Sequence, residues 1–215
     1  MVPLSQILTR IRRRYEAESG GSSERWTDAR ITDFVNEGLE CLAEATGFYE
    51  RYCTIPVGDG RIYYDVRGFT PETIVDITSV WSSSRNDWLK PGSIEDLHTT
   101  WENATGDPQM FFTRGIYWIG VYPNSGTGYL RVHFKGVPPR FSHPQAVLMD
   151  LPDDRVTALE DYALHEMTAS DRQTKRSILH WSEYAKREKS FKEFMDRRLV
   201  ASRAGRFGRL SGRLS

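Results

Sequence analysis

The apolar residues of this chain change their period twice, and that change limits the fold more than any single motif. From Leu4 to Tyr15 and from Ile31 to Leu42 they recur at the spacing of one helix face. From Arg51 to Lys135 they fall instead in short β-branched and aromatic runs, broken by Gly, Pro, Asn and Asp. After Pro152 the helical spacing returns. A chain with one period at both ends and another in its middle reads as α+β, here a helical bundle of about four helices with an inserted antiparallel β module. Its 215 residues suit one domain with a large insertion. The expected boundaries are 1–50 and 137–203 for the bundle, 51–136 for the β-rich insertion and 204–215 for an extended basic C-terminal arm.

Local signals refine this plan. Pro3 suits a first helical turn, with Leu4, Ile7, Leu8, Ile11 and Tyr15 on one face and Arg10, Arg12, Arg13 and Arg14 opposite. Thr27 or Asp28 can cap a second helix with the stripe Ile31, Phe34, Val35, Leu39 and Leu42, and Gly47 can stop it. Arg51–Val57 and Arg61–Val66, joined by Gly58-Asp59-Gly60, read as a hairpin. Strands follow at Thr73–Trp81, Gln109–Thr113, Ile116–Tyr122 and Tyr129–Lys135, with a short helix expected over Ser93–Glu102. Asp153 is the expected cap of a helix with the stripe Val156, Leu159, Ala163 and Met167. The last helix is expected from Lys175 to about Ser202, with Ile178, Trp181, Ala185, Phe191, Phe194 and Met195 on or near one face.

Charge divides the chain. The formal net charge is zero, yet Arg172–Ser215 holds 13 basic and 4 acidic residues, a net +9. The preceding 171 residues carry 16 basic and 25 acidic ones, a net −9. This is an acidic body with a basic arm. No signal peptide and no membrane helix is expected, and Cys41 and Cys53 read as buried thiols.

The search for chemistry finds no catalytic pattern. There is no Gly-x-Ser-x-Gly elbow, and His98, His133, His143, His165 and His180 read as structural. His165-Glu166 lacks the second histidine of a zinc-protease helix, because position 169 is Ala. No phosphate loop occurs. The adjacent carboxylates Asp153-Asp154 and Glu160-Asp161 could serve glycosidic chemistry, but Asp153 and Asp154 suit a helix start, and capping is the better account. No enzyme activity, cofactor or metal is therefore expected.

The arm is the distinctive segment. Arg197, Arg198, Arg203, Arg206, Arg209 and Arg213 alternate with Leu199, Phe207, Leu210 and Leu214. Nucleic-acid binding is one reading, docking on a protein partner a second, and a solvated tail a third. Phosphate contact alone does not need the apolar residues, which favours docking through Arg203, Arg206, Phe207, Arg209, Leu210, Arg213 and Leu214. A cell-wall glycan hydrolase is the remaining alternative.

Three stretches carry a family resemblance: Ile31–Gly47 running into YCTIPVGDGRIYYDV, Arg114–Pro139 with a strand ending in Tyr122-Pro123 that turns back, and Leu151–Met167 followed by a long charged helix. In this order they resemble the head-to-tail adaptor, or neck, proteins of tailed bacteriophages, most like the tail accessory factors of short-tailed phages. The resemblance implies a virion protein at the neck, made in the host cytoplasm, that forms a dodecameric ring on the portal protein. It implies a lumen passing genomic double-stranded DNA, a platform for a tail component (nozzle, tube or terminator), and no contact with membrane. In relatives the C-terminal segment reaches along the portal, a role that here would fall to the long last helix and to Arg203–Ser215, the expected portal- or neighbour-binding arm.

Overall fold

The computed structural model describes residues 2–19, 22–58, 61–97, 101–124, 126–147 and 150–208. The chain divides into two compact units, Met1–Phe48 with Pro139–Ser215, and Tyr49–Pro138. The fold is mixed α+β.

Among its described residues the first unit holds four α-helices: α1 (Leu4–Ser19), α2 (Asp28–Thr46), α3 (Val156–Ser170) and α4 (Thr174–Gly208). A helix start leaves backbone N–H groups without partners. In α1 the Leu4 N–H donates to the Ala146 carbonyl at 3.0 Å and the Ser5 N–H to that of Pro144 at 2.9 Å. Thr27 caps α2 by accepting from the Arg30 N–H at 3.2 Å. Gly47 ends it in the left-handed region at φ 59°, where a side chain is disfavoured. The expected stripe of α2 is buried throughout. Asn36 is buried beside it, and its amide exchanges hydrogen bonds of 2.8 and 3.2 Å with the Phe141 backbone.

α3 packs against α1, α2 and α4, which leaves it little surface for solvent. Asp153 does not cap it. Pro152 leads into a 3-10 turn over Asp153–Arg155, closed by the Arg155 N–H to the Pro152 carbonyl at 2.8 Å, and α3 starts without a side-chain cap. The stripe of α4 also differs from expectation. Its buried line is Ser177, His180, Tyr184, Phe191 and Met195, while Ile178, Trp181, Ala185 and Phe194 are exposed. Polar residues turn inward because polar groups meet them. The Ser177 hydroxyl lies 2.9 Å from His165 Nδ1, and His180 Nε2 lies 3.2 Å from Glu18. α4 runs to Gly208, past the expected end near Ser202.

The second unit is built from β1 (Glu50–Pro56), β2 (Tyr63–Asp65), β3 (Thr73–Ser82), β4 (Asp87–Trp88), β5 (Lys90–Pro91), β6 (Met110–Arg114), β7 (Trp118–Tyr122) and β8 (Tyr129–Val137). They form two four-stranded sheets, ordered β1-β8-β3-β4 and β2-β7-β6-β5. All pairs are antiparallel except β5 with β6. One apolar cluster joins Ile55, Val80, Leu130, Val132 and Phe134 of the first sheet to Tyr64, Phe111, Ile119 and Val121 of the second. Two sheets facing one core make a sandwich.

Two local expectations fail here. β1 and β2 do not form a hairpin: β1 pairs with β8 from Glu50↔Lys135 to Pro56↔Tyr129, and β2 pairs with β7. β7 likewise does not turn back onto β8, which lies in the other sheet. Alternation sets which face of a strand is apolar but not its partner. Crossing between sheets puts an apolar face on each side of the core. The Ser93–Glu102 helix is absent among the described residues. Ile94–Asp96 and Trp101–Asn103 form separate 3-10 turns, and the Ser93 hydroxyl accepts from the Glu95 N–H at 3.3 Å. Such side-chain bonding favours turns over helix.

Candidate assembly surfaces

The acidic pairs resolve first. Asp161 is fully buried in α3 and accepts from Arg14 Nη2 at 2.8 Å and from Arg187 Nε at 2.6 Å, one arginine on each carboxylate oxygen. Glu160, also buried, lies 3.5 Å from both Arg10 and Arg14. Burial works against the Arg14 charge, but its hydrogen bond and attraction to Asp161 outweigh this and raise its pKa. Arg10 and Arg14, expected on the outer face of α1, thus tie α1 to α3, and Arg187 ties α4 to the same carboxylate. Arg12 leaves that face too, donating to Asp28 at 2.6 Å and to the carbonyls of Ser23 and Trp26. Glu160 and Asp161 are thus held by arginines from α1 and α4 and tie those helices to α3.

The histidines are similarly engaged. His133 stacks on Tyr52 at 5.5 Å between centroids, His165 contacts Trp181 at 5.1 Å, and His143 lines a groove of about 560 Å³ beside Leu4, Leu8, Arg12, Asp28 and Phe141. His180 is buried, and its pKa lies below the usual value mainly for that reason. His98 lies outside the described residues. Among the described residues no group of three or more His, Cys, Asp or Glu is arranged to hold a metal ion. Cys53 is buried with its pKa raised to about 11 by burial, whereas Cys41 is exposed, contrary to expectation.

Two aromatic groups reach the surface. On the outer face of the β1-β8-β3-β4 sheet, Arg131 lies over the rings of Tyr52 and Trp81 at 5.2 and 5.5 Å, with Trp88 and Tyr129 alongside. On the helical unit, Tyr162 of α3 and Trp181 and Tyr184 of α4 form an aromatic group, with ring centroids 5.3 to 6.5 Å apart. Ile178 and Leu179 lie exposed on α4 beside it. The sequence offered one overlooked signal for this second surface: Asp33, Glu37, Glu40 and Glu44 recur along α2 at the spacing of one helix face. Of the arm, Arg203, Arg206 and Phe207 lie on the α4 backbone, while Arg209, Leu210, Arg213 and Leu214 lie outside the described residues.

The chain is a helical unit interrupted by a β sandwich, with aromatic groups at the surface and a basic C-terminal sequence. The SU10 adaptor protein family model matches residues 2–209, nearly the whole chain, and the chain belongs to this family of phage head-to-tail adaptors. Membership implies a structural role, contact with the portal and tail proteins, and a place in the virion neck. No curated protein matches the chain. Among the described residues no helix is long and apolar enough to cross a membrane.

Proposed function

We propose that this adaptor assembles as a dodecameric ring beneath the portal, extends the DNA channel and presents the platform on which the tail component attaches. The observation that carries the reading is the family match, which runs through both units and along α4 to position 209. The charge division supports it. An acidic body suits a wall past which DNA must slide, because wall-lining Lys and Arg would hold phosphates. The basic arm, through Arg203, Arg206, Phe207, Arg209, Leu210, Arg213 and Leu214, supplies the assembly contact. A ring needs one face of a subunit to meet a different face of the next.

Mixing the purified chain with portal particles and imaging them tests the proposal. The expected result is a ring in register beneath every portal, and portals left bare would sink it. Deleting Gly205–Ser215 is expected to lower ring occupancy on portals while circular dichroism and the unfolding temperature stay unchanged. Full occupancy without the arm would show that the contact lies elsewhere.

A further inference from the structure

The outer face of the β1-β8-β3-β4 sheet carries a cation with no counter-charge among the described residues. Alternation along β8 sends Leu130, Val132 and Phe134 into the core and Tyr129, Arg131, His133 and Lys135 to the other face. In register, Arg131 stands between Thr54 of β1 and Trp81 of β3, and His133 between Tyr52 and Ser79. None of these neighbours is acidic. The carboxylates of this sheet lie elsewhere: Glu50 and Asp76 stand opposite Lys135, and Asp87 lies 3.8 Å from Arg85.

The Arg131 guanidinium lies over the rings of Tyr52 and Trp81 at 5.2 and 5.5 Å. Its Nε is buried without a hydrogen-bond partner, and among the described residues no carboxylate pairs with the group. The flanking rings hold one another: Tyr52 stacks on His133, His133 meets Trp88 at 5.0 Å, and Trp81 meets Tyr129 at 5.8 Å. Tyr52 still leaves 60% of its surface in solvent, and Tyr129 37%. Arginine stays charged at any ordinary pH, so a guanidinium drawn out of water between two rings retains an unmet demand for an acceptor. A carboxylate approaching side-on, on Nε and the adjacent Nη, would supply it as a two-pronged pair.

We propose that this face binds an acidic segment of a partner protein, with an Asp or Glu carboxylate of that segment on Arg131 and its apolar groups on Tyr52, Trp81 and Tyr129. The inference concerns the β unit alone and goes beyond the ring reading, on which it does not depend. Tyr, Trp and Arg together are the side chains that carry most of the binding energy at protein interfaces. Strands about 4.8 Å apart make four of them a flat platform roughly 15 Å across, which suits an extended segment rather than an enclosed small molecule. Charge then selects an acidic occupant. Nucleic acid fits less well, because a phosphate chain needs a track of cations. Here Arg131 stands alone, Lys135 already faces two carboxylates, and the net −9 of residues 1–171 repels a polyanion.

The test uses the full chain and follows the indole N–H resonances of Trp81 and Trp88, assigned through Trp81→Phe and Trp88→Phe. The probe is a blocked hexapeptide alternating valine and glutamate. Its counterpart carries glutamine in place of glutamate, and a thymidine octanucleotide represents nucleic acid. The expected result is a saturable shift with the glutamate peptide and binding about tenfold weaker for the glutamine peptide, the factor for one charge-assisted contact. Arg131→Gln should bring the glutamate peptide down to the glutamine level and leave the glutamine peptide unchanged, a coupling that a merely structural role would not produce. Arg131→Lys keeps the charge but loses the flat fork, and should fall between. Circular dichroism checks the fold of each variant. Tyr52→Ala, at a largely exposed position, should weaken the glutamate peptide about threefold and gives a second reading if Arg131→Gln does not fold. Equal binding of the two peptides, no saturable shift with either, or tighter binding of the octanucleotide would overturn the assignment. None of these outcomes bears on the ring, which the imaging of portal particles tests separately.

Discussion

The helical and β units bury different things. The β unit closes on an apolar cluster running from Cys53 to Phe134, and its Asp65–Arg67 ion pair sits at its surface. The helical unit buries Glu160, Asp161 and His180 among its apolar residues. Topology accounts for the contrast. Sheets satisfy their backbone by pairing and need only present two apolar faces to each other. α3 is enclosed by three other helices, and an enclosed helix has few positions left where a charge can reach water. Its acids are therefore held by Arg10, Arg14 and Arg187, which fix how α1 and α4 approach it. A buried pair is costly to break from one side, because the remaining charge loses its partner. The helical unit should thus answer to charge and pH, and the β unit to volume.

The strongest test of that contrast is Phe134→Ala in the β unit. The ring is 1% exposed, and its loss should cost about 4 kcal/mol in denaturant unfolding, with little change between pH 5 and 8. A cost below about 1 kcal/mol would mean that the sandwich core is not what holds this unit. Next in size is Asp161→Ala, which should cost about 3 kcal/mol by releasing Arg14 and Arg187 from their shared carboxylate. Arg187→Met in that background should recover part of the loss, and an unchanged melting temperature for Asp161→Ala would remove the tie from the account. The smallest effect is pH dependence from His180. Its folded pKa is depressed, so the unfolded chain takes up the proton first as pH falls through about 6.5. The helical unit should lose stability below that pH, and His180→Gln should flatten the dependence. A helical unit equally stable at pH 7 and 5 would count against the buried neutral imidazole.

Much of the fold was legible because it is local. Thr27, Gly47 and the apolar stripe of α2 mark that helix from its own residues, and β3, β6, β7 and β8 lie close to where alternation puts them. The aromatic group of α3 and α4 was legible only in pieces. The carboxylates of α2 have a visible spacing, but Trp181 reads as a core residue by the same periodicity that correctly buries Phe191 and Met195. In a helix with both charged and apolar residues on several faces, spacing allows more than one inner line. The choice fell to Ser177 and His180 because His165 and Glu18 were waiting for them.

By itself the sequence determined the α+β class, the order of elements, the acidic body with its basic arm, and the resemblance to phage adaptors. These depend on period, turn chemistry and charge count, all carried by neighbours along the chain. Tertiary structure alone decided that β1 and β2 part into different sheets, that Arg10 and Arg14 turn inward to Glu160 and Asp161, and that Trp181 stays at the surface. Each of those outcomes is a choice of partner. A partner distant in sequence is selected by which faces must close a core and which charges must be met once water is excluded.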